Sequence, residues 1–433
     1  MIRSFPLRIV IGAVVLMALW FLQNVVPQTF GPYINLIVIL AGINIILAVS
    51  LNLINGITGQ FSLGHAGFMA VGAYVAASFT VYVGPQILAR SQNEGVARFA
   101  VFLSAIVLAA MAAGFAGWLV GLPSLRLRGD YLAIVTLGFG QIIIAVVTTI
   151  KEVGGALGFT NLPLYTNFLW VFALVILCIL SIRNLAVSHL GRSMRAVRDD
   201  EIAAAAIGIN TTKIKVLAFV IGSMWAGVAG ALFVHLIQLA QPDSFNFVRS
   251  VEIVVMVVLG GLGSITGATI TAVLLTVLES VLRTIGGAFV VGLALAVLAA
   301  ALSLPRHRPR FKTEGTRAML RWLFWPFFSA FVLCAIFFHE PLVALVPTSW
   351  QSALPSGMSG FLQSDWRGWF EARVSALRFV IYALILIVLM LLRPQGLLGR
   401  SEFSWSLFRR AQNKNSDQNA SGALEGSTNS ERQ

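Results

Sequence analysis

The sequence predicts an all-α, polytopic helical membrane protein of about 12 transmembrane helices with both termini cytoplasmic. Three observations predict it. Hydrophobic residues make up 58% of the chain and charged residues only 11%, whereas a soluble domain carries about a quarter charged residues. Apolar runs near 20 residues, enough to cross about 30 Å of hydrocarbon, recur along most of the length. The basic residues fall between those runs with a consistent sidedness.

Taken in order, the predicted spans are 9–26, 33–54, 63–83, 97–121, 130–150, 168–185, 214–238, 249–265, 267–284, 287–304, 322–338 and 375–392. They are helices, because an open sheet would leave backbone N–H and C=O groups unsatisfied in lipid. The first stretch has the basic start and apolar run of a signal peptide, from Arg3 and Arg8 into Ile9–Leu22. Without a small-x-small cleavage site, and with the run continuing to Val26, it reads as a retained helix within 1–32. The pair 249–284 has a second reading, one broken hairpin around Gly260-Gly261-Leu262-Gly263.

If the N-terminus is cytoplasmic and the spans alternate, 22 of the 30 Lys and Arg lie on the cytoplasmic side. That bias is the positive-inside pattern. It also accounts for the net charge of +13 as a membrane-surface property, with no nucleic-acid partner implied. Cys178 and Cys334 both sit inside apolar runs and read as small core residues rather than a disulfide. The polar stretch 401–433 is poor in large apolar residues, most of all from Ala411 on, and is predicted to be disordered.

Three segments stand apart from the lipid-facing pattern. Gly191-Arg192-Ser193-Met194-Arg195-Ala196-Val197-Arg198 leads through Asp199-Asp200-Glu201 into Ile202 and the alanines 203–206, ending at Ile207-Gly208-Ile209-Asn210. Carboxylates at the start and Gly208 with Asn210 at the end bound a short helix. Two helical pieces outside the bilayer make a docking surface; an ordinary solvated basic loop is the other reading. Second, Asn52 to Gly72 mixes Gly, Ser, Thr and Asn with apolar residues, including Gly56, Gly59, Ser62, Gly64, His65 and Gly67. Such a stretch serves either close helix packing or a broken helix whose backbone faces a path; His65 by itself reads as a helix contact. Third, Glu252 and Glu279 are the acidic residues within spans, each with an arginine three or four positions away, Arg249 and Arg283. Local ion pairs are the simplest account.

No paired carboxylates, nucleophile triad or metal-spaced His/Cys cluster is visible, so no catalytic, cofactor or metal residues are assigned and enzymatic activity is not expected. A G-x-x-x-x-G-K-[ST] phosphate loop is also missing from the sequence. Mid-depth carboxylate relays of the kind proton-coupled carriers use are not evident.

The segment 191–210, continuing into Thr211-Thr212-Lys213-Ile214-Lys215, closely resembles the coupling loop of permeases of the branched-chain amino acid ABC importer family, of the LivM type. Leu51-Asn52-Leu53-Ile54-Asn55-Gly56-Ile57-Thr58-Gly59-Gln60-Phe61-Ser62-Leu63-Gly64-His65-Ala66 resembles that family's N-terminal signature. The stretch from Leu122-Pro123-Ser124 through Arg128-Gly129-Asp130 to Gly140, and Val258-Leu259-Gly260-Gly261-Leu262-Gly263-Ser264, match in the same order. Arg393-Pro394-Gln395-Gly396 matches its C-terminal end.

The resemblance implies a permease subunit of an importer, without chemistry of its own, in the bacterial inner (plasma) membrane. Its partners would be ABC ATPase subunits, a second LivH-like permease, a periplasmic or extracellular substrate-binding protein, and membrane lipid. Branched-chain or related amino acids would move inward by alternating access. Urea or short amides are the alternative substrates within the class, and an ion-gradient-driven carrier the alternative outside it. By the same resemblance Gly191, Arg195, Glu201 and Gly208 would contact the ATPase, within a coupling loop at 186–213. Asn52, Gly59, Ser62 and His65 are the translocation-path candidates.

The family pattern runs over a core at 33–285 and resumes in the last helix at 375–400. Between them, 286–374 reads as an inserted helical hairpin with a Trp-rich loop, including Trp350, Trp366 and Trp369. A family core of about 10 helices plus this hairpin makes up the 12.

Overall fold

In the computed structural model the described residues are 5–124 and 130–282; the predicted features at 286–433, and Arg126 and Arg128, lie outside them. Among the described residues the chain is helical and contains no sheet, only an isolated bridge between Phe159 and Ala240. Six helices are long and apolar enough to cross a membrane: Gly31–Ile57, His65–Arg90, Glu94–Leu122, Tyr131–Thr149, Phe168–Val187 and Thr211–Ile237.

The first two predicted spans form one element, α1 (Phe5–Asn52), interrupted at Gly31 by non-helical torsions of φ 81° and ψ 167°. Only glycine takes that conformation readily, so the break falls where the sequence separates its first two spans. A π-turn at Leu53–Ile57 and non-helical residues 58–64 follow, before α2 (His65–Ser78). A second π-turn, Phe79–Val83, joins α2 to α3 (Gly84–Arg90), extending that span beyond the predicted end. The helices α4 (Glu94–Ser124), α5 (Asp130–Thr149), α6 (Phe168–Val187) and α9 (Thr211–Ile237) fall close to their predicted limits. Between α6 and α9 lie two short helices, α7 (His189–Asp199) and α8 (Glu201–Ala206).

The predicted span at 249–265 is the 14-residue helix α10 (Phe247–Gly260), about 21 Å long and short of a full crossing. It leads through 261–264 into α11 (Ile265–Leu282). Thr271 Oγ1 donates to the Met256 carbonyl at 2.6 Å, and Gly260 and Gly267 bring the two backbones together. This is the broken-hairpin reading of the segment.

Two compact units divide the described residues. One contains the chain up to Asn44 and from Ala272 on; the other is Ile45–Thr271. In the first, Asn44 Nδ2 donates to Thr276 Oγ1 at 2.8 Å, a buried side-chain bond between α1 and α11.

The second unit is built on α2, α4 and α9, which pack through small residues. Gly72 lies against the backbone of Gly227, and Gly230 against the Met69 carbonyl. Gly117 meets Ser223, and Gly227 also touches Ala109 and Ala113. Small residues let helix backbones approach closely, which is how helices gain contact where lipid removes the hydrophobic drive. Large apolar side chains point outward instead: Val107, Met111, Phe115 and Trp118 on α4, Ile134, Ile142 and Val146 on α5, Leu177 and Leu180 on α6. That pattern suits hydrocarbon. Cys178 is buried on α6 with a free thiol, as the core reading expects.

The connection after α5 and the one after α9 meet at one end of this unit. Phe159 N–H donates to the Ala240 carbonyl (3.1 Å), Ala240 N–H returns to Phe159 (3.0 Å), and Gln238 Nε2 donates to the Leu162 carbonyl (3.1 Å). Since α9 is 27 residues, about 40 Å of helix separates this end from α7 and α8.

Candidate functional site

The segment 188–210 folds as two rigid pieces, each with its own cap. Ser188 Oγ accepts from the Gly191 N–H at the start of α7, and Asp200 Oδ1 accepts from Ile202 (2.8 Å) and Ala203 (3.0 Å) at the start of α8. These side chains satisfy N–H groups that have no partner within a helix. Gly208, at φ 88°, turns the chain out of α8 with open space around it. Asn210 does not stop α8; it caps α9, accepting from Lys213 N–H at 3.0 Å.

The four residues singled out here occupy two kinds of place. Gly191 is buried, with the Ala186 and Leu185 carbonyls pressed against it, so α7 folds directly back on the end of α6. Glu201 pairs with Lys215 of α9 at 2.7 Å, with the lysine side chain only 10% exposed. Arg195 and Gly208 are exposed. Two large apolar side chains flank the exposed alanines of α8: Ile202 is 71% and Ile207 76% exposed.

The second constellation is the break between α1 and α2. All four path candidates fall in or beside it. Asn52 is fully buried, and its Oδ1 accepts from the Gly263 N–H at 2.8 Å, tying the end of α1 to the turn of the broken hairpin. Gly59 turns the chain at φ 74° and is exposed. Ser62 is held by a reciprocal pair with Asn55, its N–H donating to Oδ1 (3.1 Å) and its carbonyl accepting from Nδ2 (3.3 Å). Ser50 Oγ lies 3.0 Å from the Leu47 carbonyl and 2.9 Å from His65 Nε2, so the buried imidazole is held to the end of α1.

Eight buried side-chain polar atoms among the described residues have no partner, and five belong to this stretch: Asn52 Nδ2, Gln60 Oε1 and Nε2, Ser62 Oγ and His65 Nδ1. Buried polar atoms are normally paired. These five cluster in and beside the non-helical residues 58–64. Next to them Ala66 N–H donates to Ser250 Oγ at 3.3 Å, about 15 Å along α10 from Gly260. Close packing contributes as well: Gly64 sits on the Thr136 carbonyl and Gly67 on Gly140, both on α5.

Residue patterns alone did not single out Arg198, Gln60, Asn55 or Lys215. Glycine spacing around 56–59 and 260–263 hints that something large must fit there, but not which side chain fills it. The intramembrane ion pair expected between Arg249 and Glu252 is present at 3.0 Å. Among the described residues no three His, Cys, Asp or Glu gather as a metal site.

A family profile described as branched-chain amino acid transport system / permease component matches residues 33–304, taking in the predicted span 287–304. The high-affinity branched-chain amino acid transport system permease protein LivM of Salmonella typhimurium is 33% identical over 319 residues, 64% of this chain and 71% of that protein. LivM of Escherichia coli is 34% identical over 276 residues, 56% of this chain and 61% of that protein. LivH of Salmonella typhimurium, a permease protein of the same kind of system, is 27% identical over 259 residues, 54% of this chain and 80% of that protein. The relatives are transport permeases rather than enzymes. With the profile covering well over half of its length, and with membrane-spanning helices packed through small residues around a broken polar segment, the chain belongs to the family of branched-chain amino acid transport permeases and is of the LivM type.

Proposed function

We propose that this chain is the transmembrane permease subunit of an ATP-binding-cassette importer in the bacterial inner membrane, moving branched-chain or related amino acids inward by alternating access. The observation that carries the reading is the α7–α8 pair: two capped helices outside the bilayer, anchored at Gly191 and Glu201, that present Arg195, Ile202, Ile207 and Gly208 outward. A partner ATPase would seat there. Gly191 and Glu201 then serve as anchors that make the surface stiff, and Arg195 and Gly208 as its outer face. A sequence without a phosphate loop needs its nucleotide energy delivered from another subunit.

The path is proposed to run along 52–65, where Asn52, Gly59, Ser62 and His65 supply donors and acceptors suited to an amino acid's carboxylate and ammonium. Similarity to both LivM and LivH supports pairing with a second, related permease, alongside an external substrate-binding protein. The distribution of basic residues supports both termini in the cytoplasm, an orientation that a turned-back hairpin at 247–282 leaves unchanged.

The Glu201–Lys215 pair provides the test. Glu201→Lys sets two cations together and should abolish ATP-driven leucine uptake while the protein still inserts. The exchange Glu201→Lys with Lys215→Glu restores the pair and should recover a substantial part of the uptake. Normal uptake by the single variant would remove the case for α7–α8 as the coupling element.

A further inference from the structure

Three arginines stand on α7. Arg192 and Arg195 are exposed, whereas Arg198 turns inward, its side chain 20% exposed. Its Nη1 donates to the Gly56 carbonyl at 3.0 Å. That carbonyl belongs to the π-turn ending α1, where the helix break leaves acceptors with no N–H of the next turn to meet them. An arginine is well suited to take one, because a cation also complements the negative end of a helix. The other arm of the guanidinium, Nε and Nη2, reaches Asp199 Oδ1 at 3.3 and 3.2 Å.

The seat around this side chain is made by missing side chains. A methyl group on Gly263 would stand 3.2 Å from Arg198 Nη1, and one on Gly59 would stand 3.0 Å from Arg198 Cβ. Both glycines have positive φ, 92° and 74°. Gly263 is itself bonded to Asn52, and Gly56 packs against that same pair. One side chain of α7 thus lies against both the π-turn with Gly59 and the 261–264 turn.

We propose that Arg198 is the positioning residue that carries movement of the α7–α8 pair into the broken segment 53–64 and the 261–264 turn. This rests on the permease reading above and names the part that transmits force within it. Exposed partners such as Arg195 receive the ATPase. Arg198 hands the displacement on: a shift of α7 must pull on the Gly56 carbonyl or release it, and the unpartnered polar atoms of 52–65 lie directly along that strand.

The test uses the chain assembled in vesicles with its ATPases, second permease and binding protein, with leucine as the probe. Arg198→Met keeps the length that fills the seat and removes every donor. Its complex should retain the ATPases and hydrolyse ATP, yet the ATP consumed per leucine imported should rise by about tenfold, as for a lost coupling between sites. Arg198→Lys, which keeps a cationic donor, should recover part of the loss, a rescue that a purely space-filling role would not show.

An unchanged ratio in Arg198→Met would overturn the proposal, and so would loss of the ATPases from that complex, since Arg198 would then belong to the docking surface. Should Arg198→Met fail to insert, deuterium exchange on the unsubstituted complex decides. Protection of amides 53–64 should change together with 198–208 between nucleotide-free and vanadate-trapped states, and change in the second stretch alone overturns the proposal. Absence of ATP-dependent leucine import by the unsubstituted complex would sink the permease reading itself, whereas a wild-type ratio in Arg198→Met sinks only the role of Arg198.

Discussion

Asn52 shows how one side chain can tie a helix break to a distant turn and keep a polar atom free. Its Oδ1 is committed to Gly263 N–H, while its Nδ2 has no protein partner. Replacement by Ala leaves a part-buried N–H without its acceptor, a loss of about 1–3 kcal/mol. Asn52→Asp keeps the acceptor but brings a charge into a fully buried position, where desolvation is costly. Both variants should lower the melting temperature of the purified protein, and Asn52→Ala should in addition raise deuterium exchange at 261–264. Unchanged exchange there would mean the bond contributes nothing to the turn. His65 belongs to the same scale: its Nε2 is held by Ser50 at 2.9 Å, while its Nδ1 has no protein partner.

Among the elements, α8 is the one whose existence depends most on a single residue. Six residues are too few for a helix to persist on backbone bonds alone. Asp200 supplies two side-chain bonds to its first N–H groups, and its charge favours the positive end of the helix. Asp200→Ala should cost about 1 kcal/mol and loosen α8, read as faster exchange of amides 202–207 with little change in α7. Asp200→Ser should recover most of that protection, because a hydroxyl caps without charge. The α10–α11 hairpin teaches a different point. Its first arm is only 14 residues and ends in the Gly261 and Gly263 turns, which brings a loop within reach of Arg198.

At the largest scale described, the unit Ile45–Thr271 is held together by backbone contact between α2, α4 and α9. Gly72, Gly227 and Gly230 are each pressed against another helix's backbone, where no side chain can move aside. Gly72→Val should therefore separate α2 from α9 and reduce the folded, detergent-extractable yield, whereas Gly138→Val, at a position with nothing within 4 Å, should be tolerated apart from a small helix-propensity change. Equal yields for the two would show that the three-helix contact is not what holds this unit together.

Composition, apolar run length and the placement of Lys and Arg suffice for the membrane class and for most helix limits. The reason is that lipid leaves the backbone few options: each crossing must satisfy its own hydrogen bonds and must be about 20 residues long. The motifs at 51–66 and 191–210 were also legible, because glycine, capping residues and charge out of pattern are visible one residue at a time. Contacts between residues far apart in the chain were not. Glu201 with Lys215, Asn52 with Gly263 and Arg198 with Gly56 depend on which faces meet once the helices have packed. Periodicity says that a glycine makes room; only the folded chain decides which side chain takes it, because that choice is set by the packing of neighbouring helices and not by the local sequence.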